Sequence, residues 1–285
     1  MALTLPVVLA VLLGALLHAG WNALVKSSHD KALDTALIHL LGSLLAMPLV
    51  LLLGWPAAAA WPYILASVLI HIAYYVALTE AYQHGDLGLT YPLMRGTAPL
   101  LVAIFSMLVV GERLSLWGWM GVLGICGGVV TLGLSRHALD SRRAVGFALA
   151  NAVVIATYTF VDALGARAAT QSGGAVLQYV ATLFMLDGWP FGLLVLARRG
   201  PKLWRPYAAR RWPLALGGAT ASLGSYGIAL WAMTQAPVAT VAALRETSVL
   251  FAALLGTWLL GESFSWRRAL GTGSIVVGVV ALRLA

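Results

Sequence analysis

Long apolar stretches separated by short polar breaks run along the whole chain. A helix that crosses a bilayer needs about 20 mostly apolar residues, and ten stretches approach that length: 5–25, 33–53, 61–83, 88–110, 116–134, 144–166, 174–197, 212–235, 238–260 and 266–284. Helices are indicated because a lone strand cannot satisfy its backbone in lipid. The stretches also lack the alternating polar residues of a membrane barrel. The pattern therefore predicts an all-α integral membrane protein with ten transmembrane helices.

The ends of the stretches refine this picture. The first charge, Lys26, follows the first apolar stretch instead of preceding it, so we interpret residues 5–25 as a retained helix and not as a signal peptide. Arg198 to Arg211 is the one long polar break, and we expect a loop there. Pro237 suits the first turn of a continuous ninth helix, where its missing N–H costs nothing.

Composition and charge support a membrane location. Hydrophobic residues make up 61% of the chain and charged residues only 10%, against about 25% charged residues in a soluble domain. Thirteen of the 18 Lys and Arg residues follow odd-numbered helices, which by the positive-inside rule places those loops in the cytoplasm and both termini outside. We expect a bacterial-type inner membrane. The break from Arg198 to Arg211 would meet anionic lipid, and no basic patch with interleaved aromatics indicates nucleic acid.

The chain repeats itself after 150 residues. Residues 90–132 align without gaps to 240–282 with 14 identities in 43 positions, including Arg95 with Arg245. Trp61-Pro62 aligns with Trp212-Pro213 at a shift of 151. We divide the chain into a first five-helix repeat at 1–135, a cytoplasmic linker at 136–143 and a second repeat at 144–285. Five is odd, so the second repeat enters the membrane from the opposite side, which is typical of secondary transporters with a site between the halves.

Several segments carry a family resemblance. Residues 85–99 read GDLGLTYPLMRGTAP and are followed by Gly111-Glu112-Arg113-Leu114, while the second copy ends in Gly261-Glu262-Ser263-Phe264. Helix 1 contains His18-Ala19-Gly20-Trp21-Asn22-Ala23. Over essentially the whole chain this resembles the EamA-type drug/metabolite transporter superfamily, and the Tyr-Pro-Leu-Met-Arg-Gly run is similar to a branch linked to phosphonate utilisation.

The resemblance implies a ten-helix fold around a central cavity lined by both halves. It implies no particular substrate, because the superfamily moves amino acids, sugars, nucleotide sugars and drugs. The second copy departs from the first, with Ala242 in place of Pro92, Glu246 in place of Gly96 and Val249 in place of Pro99. The two halves of the site are therefore expected to differ chemically.

Charged residues inside the stretches are the first candidates for a substrate site, because they are costly in lipid. Arg95 and Arg245 occupy equivalent positions, and two guanidiniums facing one cavity would attract a carboxylate, phosphate or phosphonate. The alternative is that each arginine forms a structural ion pair, for example Arg95 with Glu80, and Glu246 with an arginine of another helix. Glu246 itself is a further candidate for substrate contact.

Other polar and aromatic residues complete the predicted site. A carboxylate or histidine inside the membrane suits proton coupling, and the candidates are Glu80, His71, His18 and Asp187. His18, Trp21 and Asn22 share one face of helix 1, and Trp21 could stack on a substrate. Tyr91 and Tyr226 are further candidates for substrate contact. For each of these residues, packing or interhelical hydrogen bonding is the structural alternative.

Three functions follow as alternatives. We expect a secondary transporter of a small anionic or zwitterionic metabolite, coupled to protons or working by exchange; an exporter of amphipathic or cationic drug-like compounds is the second. An intramembrane enzyme or a non-transporting scaffold is the third. No phosphate-binding loop, metal-ligand cluster or serine elbow occurs, so we predict no enzyme activity, cofactor or metal. Gly124 and Gly128 would serve internal packing or a dimer seam, which leaves monomer or homodimer open.

Overall fold

A computed structural model describes residues 3–84, 87–133, 142–260 and 266–285, with the side chains of 75–84, 87–90 and 255–260 outside the description. Within these ranges the chain forms helices and no strand. The helices are α1 (Leu5–Lys26), α2 (Lys31–Leu53), α3 (Trp61–His84), α4 (Leu87–Phe105), α5 (Leu116–Gly133), α6 (Arg142–Gln171), α7 (Val176–Arg199), α8 (Pro201–Gln235), α9 (Val238–Arg245), α10 (Thr247–Leu260) and α11 (Trp266–Arg283). A 3₁₀ turn, Ala58–Ala60, precedes α3, and a π-helical turn, Ser106–Val110, extends α4.

The outer surface of the bundle is apolar. Leu51, Leu116 and Val277 are 85%, 75% and 69% exposed, which suits contact with lipid tails. By length and composition, five segments of the described chain could cross a membrane: α1, α2, Tyr91–Val110, α6 and α7. Two shorter apolar helical segments, Ala58–Tyr74 and Leu116–Leu132, accompany them. The chain is thus a helical protein with several apolar membrane-type segments.

The expected loop from Arg198 to Arg211 is wrong, because α8 already begins at Pro201. Gly200 ends α7 with a φ of +78°, and the proline takes the first turn of the next helix. Three side chains at helical spacing on α8 are partly buried, namely Trp204, Tyr207 and Arg211. Most residues between them are exposed. The basic residues therefore lie mainly on one exposed side of a helix.

The predicted continuous helix at 238–260 is also wrong at one point. α9 ends at Arg245 and α10 begins at Thr247, so Glu246 stands in a turn between them. Its N–H donates to the carbonyl of Ala243 at 3.0 Å, and the Thr247 hydroxyl donates to the carbonyl of Leu244 at 2.8 Å. Two of the last carbonyls of α9 are thereby satisfied without Gly or Pro.

Equivalent helices of the two repeats pack against each other in antiparallel register. A Cβ atom on Gly121 would lie 2.9 Å from the carbonyl oxygen of Gly278, and one on Gly128 would lie 2.6 Å from that of Gly271. Only glycine permits such backbone contact between α5 and α11. A Cβ atom on Gly124 would lie 3.2 Å from the Cα atom of Gly278, so Gly121, Gly124 and Gly128 serve internal packing.

Helices α2 and α7 form a second such pair. The Ser43 hydroxyl donates to the carbonyl of Phe184 at 2.7 Å, and Gln178 Nε2 donates to the carbonyl of Leu53 at 2.7 Å. Ser43 precedes Leu53 along α2, whereas Phe184 follows Gln178 along α7, so the two helices run in opposite directions. The two repeats are therefore joined by hydrogen bonds as well as by helix packing.

Candidate functional site

A cavity of about 150 Å³ lies between the two repeats. Its walls come from α1, α2, α3 and α4 on one side and from α6, α7, α8 and α9 on the other. Nine of the residues singled out from the sequence line it: His18, Trp21, Asn22, His71, Tyr91, Arg95, Asp187, Tyr226 and Arg245. Glu246 is buried beside Arg95. Glu80 lies on α3, but its side chain is outside the described part of the chain.

Arg95 is held by both repeats. Its Nε lies 2.9 Å from Oε2 of Glu246, and both side chains are buried. The N–H is not directed at that oxygen, because neither atom has an aligned hydrogen-bond partner among the described residues. Nη2 of Arg95 lies 3.4 Å from Nε2 of His18 and 3.5 Å from the Ser248 hydroxyl. The described partner of Arg95 is thus Glu246, which matches the alternative in which Glu246 pairs with an arginine of another helix.

Arg245 is arranged differently. It is the last residue of α9 and is partly buried, and its guanidinium carbon lies 5.3 Å from the centre of the Tyr226 ring. This distance is within the range of a cation–π interaction. Within the described ranges no carboxylate forms an ion pair with Arg245. One arginine of the cavity is therefore paired, and the other stands over an aromatic face.

Aromatic rings form the wall next to α1. The rings of His18 and Trp21 meet edge to face with centroids 5.3 Å apart, and Trp21 meets His39 of α2 in the same way at 6.5 Å. The indole N–H of Trp21 is buried and has no hydrogen-bond partner among the described residues. Asn22 Nδ2 donates to the carbonyl of His18 at 2.7 Å. Asp187 lines the same cavity and interacts electrostatically with His39.

His71 lies on the wall formed by α3 and α6. Its ring stacks on Tyr158 with centroids 4.4 Å apart and an interplanar angle of 29°. Nδ1 lies 2.9 Å from the carbonyl oxygen of Ser67, which makes Nδ1 the protonated nitrogen when the ring is neutral. The structure therefore fixes the orientation of this histidine through contacts on both repeats.

Both repeats match one protein family. A family model described as the EamA-like transporter family matches residues 5–134 and again residues 142–284. The chain belongs to the EamA-like transporter family. The two matches cover both repeats, and they concern the family as a whole, so the narrower likeness to a branch linked to phosphonate utilisation stays a prediction.

The fold has counterparts among solved structures. One crystal structure, described only as that of a protein, superposes with a TM-score of 0.74 over 96% of this chain and 96% of its own, at 21% sequence identity. At that identity the likeness establishes the shared fold alone. A search of the curated proteins found no match to this sequence.

Two of the buried polar residues in this EamA-like protein that were not predicted from the sequence lie on α6. Asp162 and Asn151 of α6 are both 0% exposed. Asn151 lines the cavity, its Nδ2 lies 2.8 Å from the sulfur of Met94, and its Oδ1 has no partner in the described structure. Both lie inside the predicted stretch 144–166. Asp187 was a candidate because it is a carboxylate within an apolar stretch, and the same criterion applies to Asp162.

Among the described residues, two ion-pair clusters outside the cavity join the repeats, and Arg199 forms a further pair with Asp30 at 3.3 Å. On α8, Arg211 Nη2 lies 2.6 Å from Oδ2 of Asp34, and the Tyr207 hydroxyl donates to Oδ1 at 2.7 Å. The hydrogen bond to Asp34 raises the pKa of Arg211, and burial raises the pKa of Tyr207. Both groups therefore keep their protons at neutral pH. We call Asp34, Tyr207 and Arg211 the α2–α8 cluster.

The second cluster consists of Glu112 and Arg167. Arg167 Nη2 lies 2.7 Å from Oε1 of Glu112, whose Oε2 accepts the N–H of Val238 at 3.0 Å. Arg167 lies near the end of α6, and α7 then begins beside Leu53 at the far end of α2. The Glu112–Arg167 pair and the α2–α8 cluster thus lie at opposite ends of the bundle.

Proposed function

We propose that this EamA-like protein is a secondary transporter that carries a small zwitterionic or anionic metabolite across the inner membrane by alternating access. The observation that carries the proposal is Arg245, which lines a cavity between the repeats without an ion-pair partner among the described carboxylates. A partly buried cation with no carboxylate in contact is costly. A substrate carboxylate, phosphate or phosphonate would supply that contact, and the planar guanidinium favours a bidentate one.

The position of Asp187 favours a substrate that carries a positive as well as a negative charge. It lines the same cavity, and no described Lys or Arg forms an ion pair with it. A solute with an anionic group at Arg245 and an ammonium group at Asp187 would satisfy both residues. Trp21 and Tyr91 would then pack against its apolar part, as the sequence suggested. His18 and Asn22 would set the position of Trp21.

The size of the cavity favours a small substrate. A cavity of about 150 Å³ matches an engineered protein cavity that holds benzene, so roughly six non-hydrogen atoms fit. Amino acids and amino-phosphonates of the smallest size fall within this limit. A nucleotide sugar or a bulky drug would need a considerably wider cavity than the one in this conformation.

Two inverted repeats give such a site access to either side of a membrane. We place ten transmembrane helices in repeats 1–135 and 144–285, with 136–143 in the cytoplasm and both termini outside. The antiparallel contacts between α5 and α11 and between α2 and α7 support this topology. Coupling to protons would use a titratable group at the cavity, for which the sequence offers His18, His71, Asp187 and Glu80.

The test is a thermal-shift screen of the purified protein with glycine, acetate, methylphosphonate and tetramethylammonium. We expect glycine or one of the anions to raise the unfolding temperature of the wild type, and Arg245→Gln to abolish the shift while remaining folded. Arg210→Gln, an exposed site on α8, is the matched control and keeps the wild-type response. If tetramethylammonium alone stabilises the protein, or Arg245→Gln responds like the wild type, the proposal fails.

A further inference from the structure

A buried carboxyl group that the transport proposal does not use lies directly behind the cavity. Asp162 of α6 is 0% exposed. The Tyr179 hydroxyl donates to its Oδ1 at 2.8 Å, and the Tyr226 hydroxyl donates to its Oδ2. Among the described residues no Lys or Arg forms an ion pair with Asp162. The charge of this carboxylate is therefore stabilised by tyrosine hydroxyls and not by a cation in contact.

The titratable groups around Asp162 come from every helix packed on this part of α6. Ser67 and His71 of α3 lie close enough to Asp162 to influence its carboxyl group electrostatically. Tyr158 of α6 interacts with Asp162, and also with Arg95 of α4 and Arg245 of α9. The remaining contacts are the two tyrosines, Tyr179 of α7 and Tyr226 of α8. A single proton on Asp162 would thus be felt across both repeats.

Tyr226 connects Asp162 to the cavity. Its hydroxyl is bound to Asp162, its ring lies under the guanidinium of Arg245, and the residue itself lines the cavity wall. A tyrosine hydroxyl can donate only one hydrogen. While Tyr226 donates that hydrogen to Asp162, it cannot donate a hydrogen bond to a solute held by Arg245.

We propose that Asp162 is the proton-binding site of this protein and that Tyr226 couples it to the anion site at Arg245. When Asp162 takes up a proton, its new O–H donates to the Tyr226 oxygen, and the tyrosine hydrogen turns towards the cavity. There it donates to the anionic group beside Arg245. When the proton leaves Asp162, the hydroxyl returns and that hydrogen bond to the solute is lost. No covalent bond other than the O–H bond of the carboxyl group forms or breaks.

The proton and the anion therefore favour each other's binding. A coupling free energy between two sites is reciprocal, so an anion at Arg245 must raise the proton affinity of Asp162 by the factor by which the proton raises anion affinity. Arg245 is also linked to Asp162 without any solute, because the ring of Tyr226 lies under the guanidinium while its hydroxyl is bound to Asp162. The anion half of the inference rests on the proposed function, whereas the proton half does not.

Infrared titration tests the proton site without a substrate. Wild-type protein in lipid nanodiscs is acidified stepwise, and the C=O band of protonated carboxyl groups is followed. We expect a component of this band that is missing in Asp162→Asn and present in the control Asp187→Asn. A band that titrates in Asp162→Asn as in the wild type would overturn the proposal.

Arg245→Gln and Tyr226→Phe test the coupling in the same measurement, and they also serve if Asp162→Asn does not fold. Removing the positive charge or the hydroxyl donor destabilises the carboxylate. We expect the Asp162 component to appear at a pH higher by about half a unit or more. An unchanged midpoint in both variants would show that Asp162 is not linked to the cavity.

Flux measurements separate this inference from the transport proposal. Asn at position 162 offers an N–H to Tyr226, as the protonated acid does, so we expect Asp162→Asn to exchange glycine or methylphosphonate across liposomes but not to accumulate it along a pH gradient. Accumulation at the wild-type level would refute proton coupling through Asp162. If the wild type binds neither compound, the proposed function fails, and the infrared titration still decides whether Asp162 binds a proton.

Discussion

Arg95 and Glu246 join the two repeats at the point where the helical path of the second repeat is interrupted, with Nε and Oε2 2.9 Å apart. The arginine belongs to α4, and the glutamate occupies the turn between α9 and α10. The same sequence position is Gly96 in the first repeat. One of the substitutions that distinguish the repeats, Glu246 in place of Gly96, therefore supplies the counter-charge for Arg95.

Removing this counter-charge should be costly. We expect Glu246→Gln to lower the free energy of unfolding by about 3 kcal/mol, because breaking a buried pair leaves one charge uncompensated. The double variant Arg95→Met/Glu246→Met should recover most of that loss, since both charges are gone. Chemical denaturation in detergent measures both effects. Equal destabilisation by the single and the double variant would contradict an ion-pair origin.

Asp187 should distinguish a zwitterionic substrate from a simple anion. If its carboxylate binds an ammonium group, Asp187→Asn weakens glycine binding by about tenfold, which corresponds to about 1.4 kcal/mol. Acetate has no ammonium group, so its affinity should not fall. Isothermal titration calorimetry with the two compounds gives the comparison. A parallel loss for both would mean that Asp187 acts on the fold of the site and not on the substrate.

The clusters at the two ends of the bundle should control access to the cavity from opposite sides. Ser222 lines the cavity, and Ser222→Cys provides a site for a membrane-impermeant maleimide. We expect Arg211→Gln, which opens the α2–α8 cluster, to speed labelling from the side where α2 begins. Arg167→Gln should speed it from the other side.

The side of the membrane from which each variant is labelled faster decides whether the two clusters are separate gates. Labelling of sealed vesicles of both orientations reports each side separately. Arg205→Gln, an exposed arginine on α8, should leave both rates unchanged. Faster labelling from the same side in both cluster variants would show that the clusters are not separate gates.

The contact between α5 and α11 should be sensitive to a single methyl group. A Cβ on Gly128 would lie 2.6 Å from the carbonyl oxygen of Gly271 and 2.7 Å from Cγ1 of Ile275, so the backbones would have to separate. We expect Gly128→Ala to destabilise the protein by about 1–3 kcal/mol. Gly127→Ala is the control on the same helix: its Cβ would meet nothing within 4 Å. Thermal unfolding should rank the two clearly, and equal effects would refute the packing argument.

The helical class and the position of Arg95 and Arg245 at one cavity could be predicted because they depend on strong signals. Apolar length gives helices in lipid, and the repeat singled out Arg95 and Arg245 together. The break at Glu246 had no such signal, since neither Gly nor Pro marks it and local hydrogen bonds close the helix end. The helix beginning at Pro201 was not predicted because the number of charged residues in this segment indicated a loop. The helical spacing of Trp204, Tyr207 and Arg211 was the signal that favoured a helix.

Other parts of the site depend on contacts that a sequence does not display. Asp162 has no equivalent acidic residue 150 positions earlier, where Leu12 stands, so the repeat gave it no weight. Its importance in the structure comes from Tyr179 and Tyr226, which lie on two other helices. The role of Glu112 likewise depends on Arg167, 55 residues away in sequence.

The glycine contacts of α5 and α11 also explain where the trace of duplication survives. Six of the 14 identities between the repeats fall between residues 121 and 132 and their counterparts in α11. Gly121 of one copy touches Gly278, which is the counterpart of Gly128, and Gly128 touches Gly271, the counterpart of Gly121. A change in either copy therefore meets the other copy directly, which restrains the two helices from diverging. The sequence similarity between the repeats is therefore retained where α5 and α11 pack directly on each other.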